Sequence, residues 1–246
     1  MRPLLSATLV PAALLPACLL FALPGCGHDA PGVAGTGSGP SRGFAIGDFT
    51  AVAAAGSDDV DVRTGAGFSV RAEGDPAVLD HLRIRRDGAT LTIGREPGWH
   101  PAAAGSAKVF VTMPRLDEAS VTGSGGMVVN AVLGDTFKGN AAGSGNLTVH
   151  KLAVGALDLS VAGSGDMAMT GRARKLDVSV AGSGGIDARS LVASAASVNV
   201  MGSGSVRATV EGEATVAMMG SGSVELGGKA RCSVTKVGSG SVTCGG

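Results

Sequence analysis

Residues 157–169 read Leu157-Asp158-Leu159-Ser160-Val161-Ala162-Gly163-Ser164-Gly165-Asp166-Met167-Ala168-Met169. Apolar side chains alternate with polar or small ones on both sides of the glycines, the period-two pattern of strands with one face turned inward. The Gly-Ser-Gly triplet recurs at 123, 143, 163, 182, 202, 220 and 238, spaced by 20, 20, 19, 20, 18 and 18 residues. A spacing that regular marks a structural repeat.

Aligned on the first glycine, the repeats place Leu159, Val178, Val198, Val216 and Val234 in one inward column. Leu147, Met167, Ile186, Val206, Val224 and Val242 form a second, while Ser160, Ser179 and Asn199 fall on the outward side. A unit of this length cannot bury its apolar face alone, so each must stack on a neighbour. The pattern predicts an all-β fold, a single-stranded parallel β-helix or solenoid of about seven Gly-Ser-Gly repeats, with each triplet at a corner. A meander of hairpins turning at each Gly-Ser-Gly has the same inward parity, so the pattern leaves it open.

Before the first triplet, residues 44–122 form a divergent β part. Val60-Asp61-Val62, Phe68 to Ala72, Leu82-Arg83-Ile84-Arg85, Thr90 to Ile93 and Val109-Phe110-Val111 all alternate. Asp75 to Leu82 suits a short helical turn with Asp75 as cap and Pro76 at its first position. This part is expected to close one end of the stack. At the other end Cys232 and Cys244 fall in inward columns, and a disulfide between them would pin the last coil by about 3 kcal/mol in the loop-entropy model. A redox-active dithiol is the alternative, although twelve residues of separation is unlike a C-x-x-C motif.

The N-terminus carries an address. Arg2 precedes an uncharged run, Leu4 to Leu23, interrupted by Pro11 and Pro16 and followed by Leu23-Pro24-Gly25-Cys26. That reads as a lipoprotein signal peptide over residues 1–25, with Cys26 as the lipidated residue. The prolines and the Gly-rich stretch that follows argue against a spanning helix. Two lipid signals on one residue suffice for a stable membrane anchor. Gly27, where an acidic residue would favour inner-membrane retention, points to the outer membrane, on either its periplasmic or its surface face. Residues 26–43 read as the lipidated cysteine and a flexible Gly/Ser/Pro tether, leaving 44–246 as one domain, with the Gly-Ser-Gly repeats over 123–246.

The chain has 20 basic and 20 acidic residues, which leaves no basic field for nucleic acid. It has no tyrosine, and no aromatic residue follows Phe137. Stacking recognition of sugars or bases is therefore unavailable on the repeats. Trp99, beside His100 and Pro101 in the Pro97 to Gly105 loop, is either an exposed aromatic spot or a plug under the first coil.

The sharpest chemical candidates are Asp158 and Asp177, one repeat apart in the same outward column. A β-stack would hold them about 5 Å apart, a separation suited to a retaining glycosidase. A solvated ladder relieved by Lys138, Arg174 and Lys175 accounts for them equally simply. Asp187, Arg207 and Glu225 form a column of alternating sign, as cross-strand ion pairs do. Asp58, Asp59 and Asp61 could gather calcium but lack further oxygen ligands and the β-roll calcium repeat. His28, His81, His100 and His150 are too scattered for zinc. Met167, Met169, Met201, Met218 and Met219 fit core filling better than copper capture. No nucleophile elbow, phosphate loop or dinucleotide fingerprint is present, and no cofactor is expected.

The strands from Phe49 to Val62, Leu91-Thr92-Ile93, then Val111-Thr112-Met113-Pro114 leading into serial strand–Gly-Ser-Gly–strand units carry a resemblance. Over roughly Phe44 to Gly246 the chain resembles the GIN-domain family of auto-transporter adhesin heads. The resemblance implies a β-helical surface or periplasmic protein whose adhesive role is assigned by analogy, with no catalytic residues to carry over. The expected function is a non-enzymatic, lipid-anchored module that contacts envelope or extracellular polysaccharide or protein, or a second copy of itself. The alternatives are a polysaccharide-acting hydrolase or lyase using Asp158 and Asp177, and a structural envelope spacer.

Overall fold

The computed structural model describes residues 32–99 and 105–245. The signal segment, Cys26, His28 and His100 lie outside the described residues. The divergent part holds β1 (Ser41–Phe44), β2 (Ala51–Gly56), β3 (Asp59–Thr64), β4 (Ser69–Gly74), helix α1 (Pro76–Asp80), β5 (Leu82–Asp87), β6 (Thr90–Arg95) and β7 (Ala107–Met113). The repeats follow as β8 (Glu118–Gly123), β9 (Gly126–Val129), β10 (Val132–Gly143), β11 (Asn146–Gly163), β12 (Asp166–Gly182), β13 (Gly185–Gly202), β14 (Ser205–Val210), β15 (Glu213–Gly220), β16 (Ser223–Gly228), β17 (Arg231–Val237) and β18 (Ser241–Cys244).

Successive repeats pair in parallel, Gly-Ser-Gly on Gly-Ser-Gly: Gly143 lies on Gly163, Gly163 on Gly182, and Gly182 on Gly202. Parallel register requires that each unit wind once around and return above itself, so the hairpin meander is excluded and the chain is a β-solenoid. It makes about six turns, slightly fewer than the seven triplets. Within β11, the segments 146–149, 152–154 and 156–163 are straight runs, and the pairing with β12 slips a residue between Val149 and Leu152 where the coil bends.

The expected inward columns are the core. Leu159, Val178, Val198 and Val216 stack in register, as do Leu147, Met167, Ile186, Val206 and Val224, and all of these are buried. Burying one such side chain contributes about 2 kcal/mol, gained only where a neighbouring coil lies against it. A third inward column runs Phe137, Leu157, Leu176, Ala196, Ala214 and Cys232. It shrinks from a phenyl ring to a methyl as the spacing falls from 20 to 18 residues. Less interior volume needs a shorter perimeter.

The column ends differently from the pattern's expectation. Val234 keeps the inward register of Val216 yet is 46% exposed, because no described strand lies beyond β17. Cys232 and Cys244 are joined by a disulfide that ties β17 to β18 across this coil. Lys236 occupies the position that holds Val161, Val180, Val200 and Met218 in earlier coils. Its ammonium donates to the Gly240 carbonyl at 2.8 Å. A charge set at an inward position of an edge strand discourages pairing with another chain.

At the opposite end the sheet is continued by other means. β6 and β7 pair in parallel with β2 and β3, and beyond them β5, β4 and β1 run antiparallel. Asp75 caps α1, accepting the Ala77 N–H at 2.8 Å, and Val78 and Leu79 bury its inner side. Part of the stretch read as tether is packed on this cap. Thr36 and Gly43 exchange backbone hydrogen bonds, and Val33 N–H donates to the Ile84 carbonyl. β1 itself begins at Ser41, three residues ahead of Phe44.

The divergent part also contains a corner the triplet count does not reveal. Gly56 (φ 118°) has the same backbone as Gly123 (φ 115°) and lies on it in register. Gly56-Ser57-Asp58 is thus a Gly-Ser-Gly corner with aspartate in the third place. A side chain fits there only because the cap, rather than another glycine, lies above.

Candidate binding surface

One outward face of the solenoid is a set of three in-register columns. The first runs Glu118, Lys138, Asp158, Asp177, Ser197 and Thr215. Beside it Ser120, Asn140, Ser160, Ser179 and Asn199 present hydroxyls and amides. Along the glycine corner a third column passes from Thr122 and Ala142 through Ala162 and Ala181 to Met201, Met219 and Val237. The face therefore grades from charged near the N-terminal cap to neutral and then apolar near β17. Met201, Met219 and Val237 are 54%, 61% and 60% exposed.

Asp158 and Asp177 are neighbours in register, as the spacing implied. Lys138 stands opposite Asp158 on the preceding coil, and Lys175 bonds Asp177 at 2.7 Å. That hydrogen bond, with the charge of Asp177 and more weakly of Asp158, raises the Lys175 ammonium above its ordinary pKa. What the two carboxylates supply is a compensated ladder on an outward sheet face.

The second outward face carries Asp187, Arg207 and Glu225 in register. The structure distributes them differently from a simple alternating ladder. Asp187 is held by Arg189, two residues along its own strand, through Nε at 3.0 Å and Nη2 at 2.5 Å. Its carboxyl is accordingly lowered below the usual range, first by that hydrogen bond. Arg207 turns instead to Glu225, at 3.6 Å.

The three aspartates considered for calcium go to three separate partners. Asp58 is 4% exposed. It takes Nε and Nη2 of Arg95 at 2.8 and 2.5 Å and the Ala107 N–H at 2.8 Å. Asp59 accepts the Gly126 N–H, and Asp61 pairs with Arg63. No group of three or more acidic, histidine or cysteine side chains that could hold a metal occurs among the described residues. His81 Nδ1 lies 2.7 Å from Glu96 Oε2, and its ring stacks on Trp99 at 4.5 Å. Glu96 also pairs with Arg83, and these bonds, that to His81 first, hold its carboxyl below the usual range. Trp99 is half-buried against the core, with Arg95 over its ring at 5.5 Å. The ring is thus used within the cap. His150 is exposed. Met167, Met169 and Met218 fill the core as expected, whereas Met201 and Met219 face solvent.

The buried Asp58–Arg95 pair escaped the sequence reading, since 37 residues separate the partners. Its one signal was the Gly-Ser that precedes Asp58, which marks a corner.

A family model described as "Putative auto-transporter adhesin, head GIN domain" matches residues 48–230. Among solved structures, a putative adhesin from Bacteroides fragilis is similar at 20% identity and a TM-score of 0.78, covering 82% of this chain and 95% of that one. A putative adhesin from Parabacteroides merdae is 21% identical with a TM-score of 0.68, covering 87% and 99%. A putative lipid binding protein from Parabacteroides distasonis is 23% identical with a TM-score of 0.66, covering 85% and 97%. At these identities the likeness is one of fold. No curated protein matches the chain.

Proposed function

This chain belongs to the head GIN-domain family of auto-transporter adhesins, and on that premise we propose that it is a non-enzymatic, lipid-anchored envelope protein that binds other molecules through the outward ladders of its solenoid. The family is adhesin-like, which suits a protein of the cell surface or envelope. The observation that carries the reading is the in-register outward face, where the polar side chains Ser120, Asn140, Ser160, Ser179 and Asn199 recur on successive coils about 4.8 Å apart. A rigid ladder of this kind presents many weak contacts at a regular spacing, which suits a repetitive polymer.

Polysaccharide or protein of the envelope or exterior is the proposed partner, and the apolar end of the third column, Met201 to Val237, supports contact with a second copy. The anchor is the lipid on Cys26, and the outer membrane is the proposed site. No helix among the described residues is long and apolar enough to cross a membrane.

Co-sedimentation of the purified chain with intact cells, peptidoglycan and neutral and acidic polysaccharides tests the reading. Saturable retention is expected, nearly unchanged in Asp158→Ala/Asp177→Ala because the neighbouring hydroxyl and amide column from Ser120 to Asn199 stays intact, with stability unchanged in the variant. Turnover of a polysaccharide that disappears in the double variant would overturn the non-enzymatic reading in favour of an Asp-pair enzyme. Cys26→Ser is expected to move the protein from the membrane to the soluble fraction in cells. Undiminished membrane retention of that variant would show that a lipid on Cys26 is not the anchor.

A further inference from the structure

The third position after each Gly-Ser-Gly start forms its own outward column, running Asn146, Asp166, Gly185 and Ser205. Gly185 interrupts it. Its absent side chain leaves a notch, and a Cβ built there would lie 2.9 Å from Asp166 Oδ1 and 3.0 Å from Ser205 Oγ. Two oxygens, one from the coil on either side, thus lean over the same bare backbone. Two residues further along, Thr148, Ala168, Asp187 and Arg207 form the opposite wall of an open groove of about 420 Å³.

The groups around the notch differ in how far the fold already uses them. Asn146 Oδ1 accepts the Asp166 N–H at 3.0 Å, which fixes the amide and leaves its NH2 directed elsewhere. Asp187 is occupied by Arg189, and Arg207 is shared with Glu225. The Asp166 carboxylate has no hydrogen bond or ion pair to a side chain or backbone group among the described residues. The groove therefore offers a free carboxylate acceptor, a hydroxyl that can donate or accept, and amide and guanidinium donors. Of the apolar residues in its lining, Met167 and Ile186 point into the core and are buried, and only the methyl of Ala168 is exposed, so a protein partner would find no large apolar anchor here.

We propose that this groove is a subsite for a neutral, polyhydroxylated glycan, with adjacent ring hydroxyls received by Asp166 and Ser205 over Gly185 and a further oxygen held by Asn146 or Arg207. The inference rests on the binding role proposed above and names its ligand class. Carboxylates accept strong charge-assisted bonds from hydroxyls, while the uncompensated charge of Asp166 disfavours acidic sugars. The distance between coils is comparable with the advance of one ring in an extended glycan, so neighbouring coils can meet neighbouring sugars.

The test is binding of the full chain to immobilised neutral polysaccharides, acidic polysaccharides and intact cells, with two variants. Asp166→Ala removes the acceptor. Gly185→Val fills the notch without removing any polar group, and Gly185 does not hold a positive φ that would strain the variant. Circular dichroism and the melting temperature verify that both variants fold. The expected result is saturable binding to a neutral polysaccharide that falls about tenfold or more in each folded variant, through the lost charge-assisted hydrogen bond in Asp166→Ala and through the filled notch in Gly185→Val. Binding to the neutral polysaccharide that both variants retain would overturn the groove while leaving the wider binding role in place. Binding to cells alone or to acidic polymer alone would overturn the glycan class. Failure to bind any of the three would remove the parent reading as well.

Discussion

Gly163→Ala is expected to destabilise the solenoid by about 3 kcal/mol or more, whereas Ser164→Ala, one residue on, leaves stability within about 0.5 kcal/mol. The difference follows from the corner. Gly163 sits at φ 125°, where an L side chain is strained, and an added Cβ would lie 2.5 Å from the Gly143 carbonyl oxygen of the preceding coil. That oxygen is already committed, accepting the Ser164 and Gly165 N–H groups at 2.8 and 3.0 Å. The methyl can be housed only by lifting one coil from the next, which breaks those bonds and opens the columns on both sides. Ser164 points to solvent. Urea unfolding of the two variants measures both numbers, and equal midpoints would show that the glycine corner is not the element fixing the spacing between coils.

Asp58→Ala is expected to cost about 3 kcal/mol, the usual consequence of stranding one member of a buried ion pair. The Arg95 guanidinium, 15% exposed, would lose both bonds to the carboxylate, and the Ala107 N–H would lose its acceptor. Arg95→Ala is expected to cost a similar amount. The double variant should cost clearly less than the sum, because the second change removes the charge that the first left unpaired. Asp59→Ala, which removes no ion pair and gives up one exposed bond to Gly126 N–H, serves as the comparison. Additive losses in the double variant would show that Asp58 and Arg95 act independently. Hydrogen exchange should report the loss first in β6 and β7, since the pair ties the first corner to the cap.

Most of the repeat architecture was legible because its causes are local. Period-two alternation around Gly163 decides which side chains turn inward, and the spacing of the triplets decides which of them meet. The columns led by Leu159 and Leu147 are therefore legible in the sequence alone. The pairing of Asp158 with Asp177 was readable for the same reason, but its meaning was not. Lys175 is two residues from Asp177 on the same strand, and only the side-chain direction shows that its ammonium closes on that carboxylate.

The sequence by itself determined the strand parity, the period of the stack and the places where only glycine fits, because each depends on a residue and its near neighbours. The tertiary structure alone decided three things. It chose parallel winding over hairpins, which alternation cannot distinguish because both leave the same face inward. It buried Asp58 on Arg95, a contact made only when the cap folds over the first corner. And it set Asp166 and Ser205 over Gly185, two coils apart along the chain and brought together because each turn returns the backbone to a position above the last.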